Sequence, residues 1–306
     1  MSTVLNNTTT GSRPDKAARR VNRLAGSVDW SLILGCAAAA ALLSAVAKPV
    51  AAAWLGEYLA PESYYQHGPI IPSLVGLMFW KDRARLRAVS IAPSPAALLL
   101  LTPALALYVF ASRNFALSLV SAAFLMIIWS SVWLILGARF VRAAAFPLAF
   151  LAAMAPLPGP ILNDATLRLQ MLSTSLANGL LHLLSFPTTL SGNLITMDHF
   201  SLSVDVPCSG LKLLISLMTV CAALAYLMDG APLRRFALFI VSVPLAVVVN
   251  TVRIALIGVV GECVGDNAAH AFHDWSGVLT LVFGVSCVLG LARALGCRKF
   301  AGWSLF

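Results

Sequence analysis

Charge is what this chain has least of. Of its 306 residues only 11% are charged, and Asp and Glu together number 12, against about 25% charged residues in ordinary soluble domains. Length alone would allow two soluble domains; that scarcity excludes them. Six cysteines (36, 208, 221, 263, 287 and 297) include no Cys-x-x-Cys pair and no metal-ligand spacing, so neither a zinc site nor a thioredoxin-type redox site is expected. No cofactor and no metal are implied. No basic patch interleaved with aromatics is present, which takes the net charge of +9 away from nucleic acid. No internal repeat of the transporter kind is visible. No cleavable leader is read at the start, because the first apolar run begins late and opens a series of such runs.

Apolar residues fill the space instead. They make up 59% of the chain, mean hydropathy is +0.87, and runs of about 20 apolar residues recur, each long enough to cross a hydrocarbon core of about 30 Å. The fold class that follows is an all-α polytopic membrane protein of about eight transmembrane helices. A polar tail over 1–28 is expected to be disordered and cytoplasmic, the membrane domain to occupy 29–297, and a short cytoplasmic tail 298–306. The spans are read at 30–53, 68–80, 91–111, 115–137, 143–162, 209–228, 236–260 and 275–295. Pro147, Pro156, Pro158 and Pro160 should break the fifth, since proline removes an amide donor and clashes with the preceding turn.

Lys and Arg set the orientation. Arg13 to Arg23, Lys81 to Arg87, Arg139 and Arg142, Arg234 and Arg235, and Arg293 to Lys299 all fall between spans on one side, while Lys48, Arg113, Arg168, Lys212 and Arg253 are the basic residues left for the other. The positive-inside rule then puts both termini in the cytoplasm. Two segments depart from the span pattern. Residues 163–187 read as an amphipathic helix on the outer surface, with Asp164, Arg168 and Gln170 on one side. Between 194 and 206 the period changes to two: Phe200, Leu202, Val204 and Val206 alternate with Ser201, Ser203 and Asp205. Paired with Leu194–Met197 across Asp198-His199, that stretch predicts a small β-hairpin on the outer face.

Three chemically able residues lie at the outer ends of the last three spans: Cys208, Arg253 and His273. A cysteine at a helix start is often plain packing, but uncapped amides, the helix dipole and Lys212 one turn on favour its thiolate. Ser209-Gly210 gives close backbone access. A disulfide from Cys208 to Cys263, the other cysteine expected at that aqueous face, is the bland alternative. Arg253 could snorkel from a span end; Asn250, one turn earlier on the same face, turns the polar side towards other helices. His273 competes with its neighbour His270. Asp205 and Asp274 are nearby orienting candidates. Together the three supply a thiolate nucleophile, a proton shuttle and a guanidinium for a developing oxyanion. A non-enzymatic transporter or assembly component, with Arg253 as a pathway residue, and a membrane acyltransferase using His273 without Cys208 are the rival readings.

Cys208-Ser209-Gly210, Asn250-x-x-Arg253-Ile254 and His273-x-x-x-Gly277, in that order on successive spans, resemble the exosortase/archaeosortase family of membrane transpeptidase-like cysteine enzymes. Lesser matches lie at His67-Gly68, at Phe146-Pro147 with Met154–Pro158, and at Gly192-Asn193. The resemblance implies a Cys208-Arg253-His273 site supported by Asn250, Ser209, Gly210, Lys212 and Gly277. It also implies membrane-anchored protein substrates ending in a Pro-Glu-Pro-type motif, a transmembrane helix and a basic cluster. Cleavage would occur at the outer face of a bacterial cytoplasmic membrane, in sorting linked to exopolysaccharide or extracellular matrix, with an acceptor left open.

Overall fold

The computed structural model describes residues 30–304 apart from 62, 115, 298 and 302, with side chains mainly from 44 onward; the expected 1–28 tail lies outside them. The chain divides after Pro49 into two units, and the second holds everything that positions the site. Helix α1 covers Trp30–Leu59, α2 Ile71–Lys81, α3 Arg83–Arg87, α4 Leu98–Arg113 and α5 Leu117–Leu136. Then come α6 (Ala138–Ala143), α7 (Ala145–Phe150) and α8 (Gly159–Leu183). Strands β1 (Thr189–Ser191), β2 (Leu194–Thr196) and β3 (Ser201–Ser203) precede α9 (Leu211–Leu227), α10 (Pro232–Val264) and α11 (Asp266–Ala294), and β4 (Lys299–Phe300) pairs with β5 (Trp303–Ser304).

Of the eight predicted crossings, four are helices long and apolar enough among the described residues: Pro95–Arg113, Leu117–Leu136, α10 and α11. A fifth is possible only by counting Ala145–Met154 and α8 as one span bent by 79°. The break falls where Pro156, Pro158 and Pro160 cluster, and Ala155 is extended there. Among the described residues the count is therefore four or five rather than eight. Helix α2 has 11 residues and at 1.5 Å per residue extends only about 16 Å. The 17 residues of α9 extend about 25 Å, short of a core about 30 Å thick. Lys81, which ends α2, donates to the Tyr226 and Leu227 carbonyls at 2.8 and 3.0 Å and lies 3.6 Å from Asp229. That one ammonium joins the end of α2 to the last turn of α9.

The predicted outer loop over 261–274 does not exist as a loop. Helix α10 continues to Val264, Gly265 alone turns the chain at φ +109°, and α11 starts at Asp266. Small and polar residues made this stretch read as a loop; an exposed helix has the same composition, and an aspartate in the first turn suits the helix dipole. At 33 residues α10 is about 50 Å long, about 20 Å more than a bilayer core is thick.

Around that projecting end a cap is built. The predicted hairpin is a three-stranded antiparallel sheet in the order β1-β2-β3, with Ile195 opposite Leu202. Alternation holds through Val204, since Ile195, Met197, Leu202 and Val204 are buried. It fails at Val206, which is exposed in the 3-10 turn Val206–Cys208. The sheet packs its buried face with Leu181 of α8 and Ile254 and Ile257 of α10 in one core that reaches Cys208. Glu262 accepts the His199 amide at 3.0 Å, and Gly261 lets the Phe200 ring sit where a Cβ would be 2.4 Å away. The surface helix expected over 163–187 is α8: Asp164 and Arg168 pair on its exposed side at 2.8 Å. Gln170 is not on that side; it donates to the Val204 carbonyl.

Candidate active site

Backbone geometry delivers Cys208. The Cys208 amide donates to the Asp205 carbonyl at 2.9 Å, the Ser209 amide to the Val206 carbonyl at 3.1 Å, and Gly210 at φ +89° redirects the chain into α9. Glycine is the residue that takes this left-handed conformation without steric cost. Gly210 also admits Asn250, which is fully buried and donates through Nδ2 to the Cys208 carbonyl at 3.0 Å. Ser209, buried as well, accepts the Leu211 amide at 3.3 Å on its Oγ, and its carbonyl accepts the Ser173 hydroxyl at 3.4 Å. The carbonyl side of Cys208 is thus held by α10 and its neighbour by α8.

The Sγ of Cys208 lies 2.7 Å from Nε2 of His273, close enough for a proton to pass between them. His273 stands two turns into α11 rather than in a loop. Its Nδ1 is 3.4 Å from Oδ1 of the exposed Asp274. Asp205 is elsewhere occupied, accepting the Ser203 hydroxyl at 2.9 Å. His270 is 79% exposed and lies 3.7 Å from Asp266, away from the thiol's partner. Cys208 is buried, contrary to the exposure expected of it, and Cys263 is exposed; both are thiols, so the disulfide alternative is not formed.

Arg253 binds α11. Its Nε donates to Ser276 Oγ at 2.8 Å and its NH2 group to the His273 carbonyl at 3.1 Å, while the Ser276 hydroxyl donates to the same carbonyl at 2.9 Å. One carbonyl therefore takes two hydrogen bonds, and the turn bearing His273 is fixed to α10. Ser276, 2% exposed, was invisible to sequence reasoning because the stretch before it read as loop; read as helix, its i+3 spacing from His273 is the signal that finds it.

A cleft of about 540 Å³ opens beside these groups. Lys212, Arg253, His273 and Gly277 line one part of it, and Pro61 and His67 another. Lys212 Nζ reaches the Pro61 carbonyl at 3.4 Å, and a Cβ at Gly277 would lie 3.8 Å from Arg253 NH2. A buried thiol against an imidazole that lines a cleft also walled by a guanidinium is a set of groups suited to acyl transfer through a covalent intermediate.

Compared with known protein families, residues 54–292 match the one described as transmembrane exosortase (Exosortase_EpsH). The chain belongs to that family. It is accordingly a multi-pass membrane protein of a sortase-like enzyme family that acts on protein substrates. No curated protein and no solved structure matches it. The matched stretch begins within α1 and ends within α11, so it contains the cap, the cleft and every residue of the site. Among the described residues no group of His, Cys, Asp and Glu is disposed to hold a metal ion.

Proposed function

We propose that this exosortase-family chain is a cysteine peptidase or transpeptidase. It cleaves C-terminal sorting signals, each a short Pro-Glu-Pro-type motif, a transmembrane helix and a basic cluster, at the outer face of the bacterial cytoplasmic membrane. The sorting serves exopolysaccharide or matrix export. The observation that carries the reading is the 2.7 Å approach of Cys208 Sγ to His273 Nε2.

In the proposed cycle His273 takes the Cys208 proton and the thiolate attacks the scissile carbonyl carbon. The resulting oxyanion lies beside the Arg253 guanidinium, whose two bonds to α11 hold it without reorganisation at the moment of reaction. As the intermediate collapses, the C–N bond breaks and His273 returns its proton to the leaving amine. The carbonyl remains on Cys208 as a thioester. Water or an acceptor amine then attacks with His273 again as base, and the thiol is regenerated. Asn250 and Gly210 hold the Cys208 backbone, Ser209 joins it to α8 and α9, Lys212 supplies positive charge in the cleft, and Gly277 leaves room beside Arg253.

Co-expression with a membrane-anchored reporter carrying such a signal tests the reading. Cys208→Ala should leave the reporter whole while accumulating normally, and Cys263→Ser should process it. Processing by the Cys208→Ala variant would instead favour a non-enzymatic role in export.

A further inference from the structure

His67 is a cleft residue that the proposed chemistry does not use, and its wall is held with unusual firmness. A Cβ on Gly68 would lie 2.3 Å from the Tyr58 ring. The Tyr58 hydroxyl donates to the Met154 carbonyl at 2.7 Å, the Tyr65 hydroxyl accepts the Leu157 amide at 2.8 Å, and Tyr64 meets Thr166 of α8 at 3.0 Å. Three tyrosines thus fasten the short segment that presents His67. Burial pushes the imidazole below the usual histidine pKa, partly opposed by a hydrogen bond with the Ala153 backbone. A neutral imidazole has one N–H and one acceptor nitrogen. Ser216 Oγ and Thr219 Oγ1 approach the ring only at 3.5 Å, the outer limit of a hydrogen bond. Thr280, also in the cleft, spends its hydroxyl on the Ser276 and Gly277 carbonyls.

Helices α9 and α11 leave the site in the same direction, and the cleft follows both. Ser216 is about 9 Å along α9 from Gly210, and Thr280 about 10 Å along α11 from His273, at 1.5 Å per residue. An extended peptide covers that distance in roughly three residues at about 3.3 Å each. Any peptide drawn into this cleft brings backbone N–H groups out of water, and leaving their hydrogen bonds unmade there is unfavourable. Ile70, Leu213, Val278 and Leu281 on the walls offer no partner.

We infer that His67 is a substrate-binding residue that accepts a hydrogen bond from a backbone N–H of the substrate, two to four residues beyond the scissile bond on the leaving-group side. This rests on the peptidase reading above, which supplies the direction in which the substrate enters.

The test uses the full chain in liposomes with a purified reporter that ends in a Pro-Glu-Pro motif, one transmembrane helix and an arginine cluster. His67→Leu should raise KM about tenfold with kcat within about twofold, one hydrogen bond being worth about that factor. His67→Gln, which keeps an acceptor, should recover most of the loss. Iodoacetamide should alkylate Cys208 equally fast in all three proteins. On the reporter side, proline placed in turn at the four positions after the cleaved bond removes one N–H at a time. One of these should raise KM for the wild type yet add nothing in His67→Leu, a result independent of how well any variant folds. A fall in kcat with KM unchanged, or proline effects that add fully to His67→Leu, would overturn the inference. A reporter that the wild type never cleaves, or that Cys208→Ala still cleaves, overturns the peptidase reading instead.

Discussion

Replacing Gly210 by alanine adds one methyl group at the point where the site is most tightly built. Two costs follow. The residue sits at φ +89°, and an L side chain in the left-handed region costs about 1–2 kcal/mol. The new Cβ would also lie 2.7 Å from Nδ2 and 2.9 Å from Cγ of Asn250, contacts that real structures do not hold. Asn250 is fully buried and cannot swing into solvent, so either α9 or the asparagine must shift. Its hydrogen bond to the Cys208 carbonyl is then stretched or lost, which leaves a buried polar group unpaired at about 1–3 kcal/mol. Gly210→Ala should therefore destabilise by roughly 2–5 kcal/mol and displace Cys208 from His273. Heating the detergent-solubilised protein and following the monomer peak by size-exclusion chromatography reads the first effect; reporter cleavage reads the second. Adding Asn250→Gly makes room for the methyl but leaves the backbone strain, so the double variant should regain stability over Gly210→Ala without regaining activity. A Gly210→Ala protein as stable and as active as the wild type would refute both the left-handed turn and the close approach of Asn250.

Four further outcomes are expected. Arg253→Lys keeps a cation but cannot reproduce a planar donor set directed at both Ser276 and the His273 carbonyl. It should accumulate normally and cleave at least about a hundredfold more slowly. Ser276→Ala should slow cleavage about tenfold alone and hardly at all on top of Arg253→Lys, because it acts through the guanidinium; a double-mutant cycle on kcat checks this. Gly277→Ala meets nothing closer than 3.8 Å, so cleavage should stay within about threefold while the helix gains propensity. For orientation, a membrane-impermeant maleimide on intact cells should label exposed Cys263 and not Arg87→Cys; Cys297 is buried and should stay unlabelled from either side.

Much of this was legible in the residues, for physical reasons that also explain what was not. Long uninterrupted runs identify α4, α5, α10 and α11, since little besides a membrane or a core accepts 20 apolar residues together. The alternation of Leu202 and Val204 with Ser201 and Ser203 identifies the strand that leads to Cys208. The order of the runs puts Cys208, Arg253 and His273 on neighbouring helices, and they do lie together. Charge misled at 68–80, a run short for a crossing that the basic cluster after it nonetheless made read as a span; its helix α2 has only 11 residues. Composition misled at 261–274, where a single glycine turns the chain and the rest is helix. That error hid Ser276, whose meaning depends on helical spacing. Burial of Cys208 was not legible either, because it is imposed by Leu181, Ile254 and the sheet, which come from distant parts of the chain.

The central claim is that Cys208 forms the bond to substrate, with His273 moving the proton. Intact-mass and peptide-level mass spectrometry of the enzyme, quenched in acid during turnover of the sorting-signal reporter, tests it directly. A thioester on the peptide containing Cys208 is predicted, labile to hydroxylamine, absent from Cys208→Ala, and formed at least about a hundredfold more slowly in His273→Ala. Normal reporter cleavage with no adduct at Cys208, or an adduct that survives in the Cys208→Ala protein, would contradict the account.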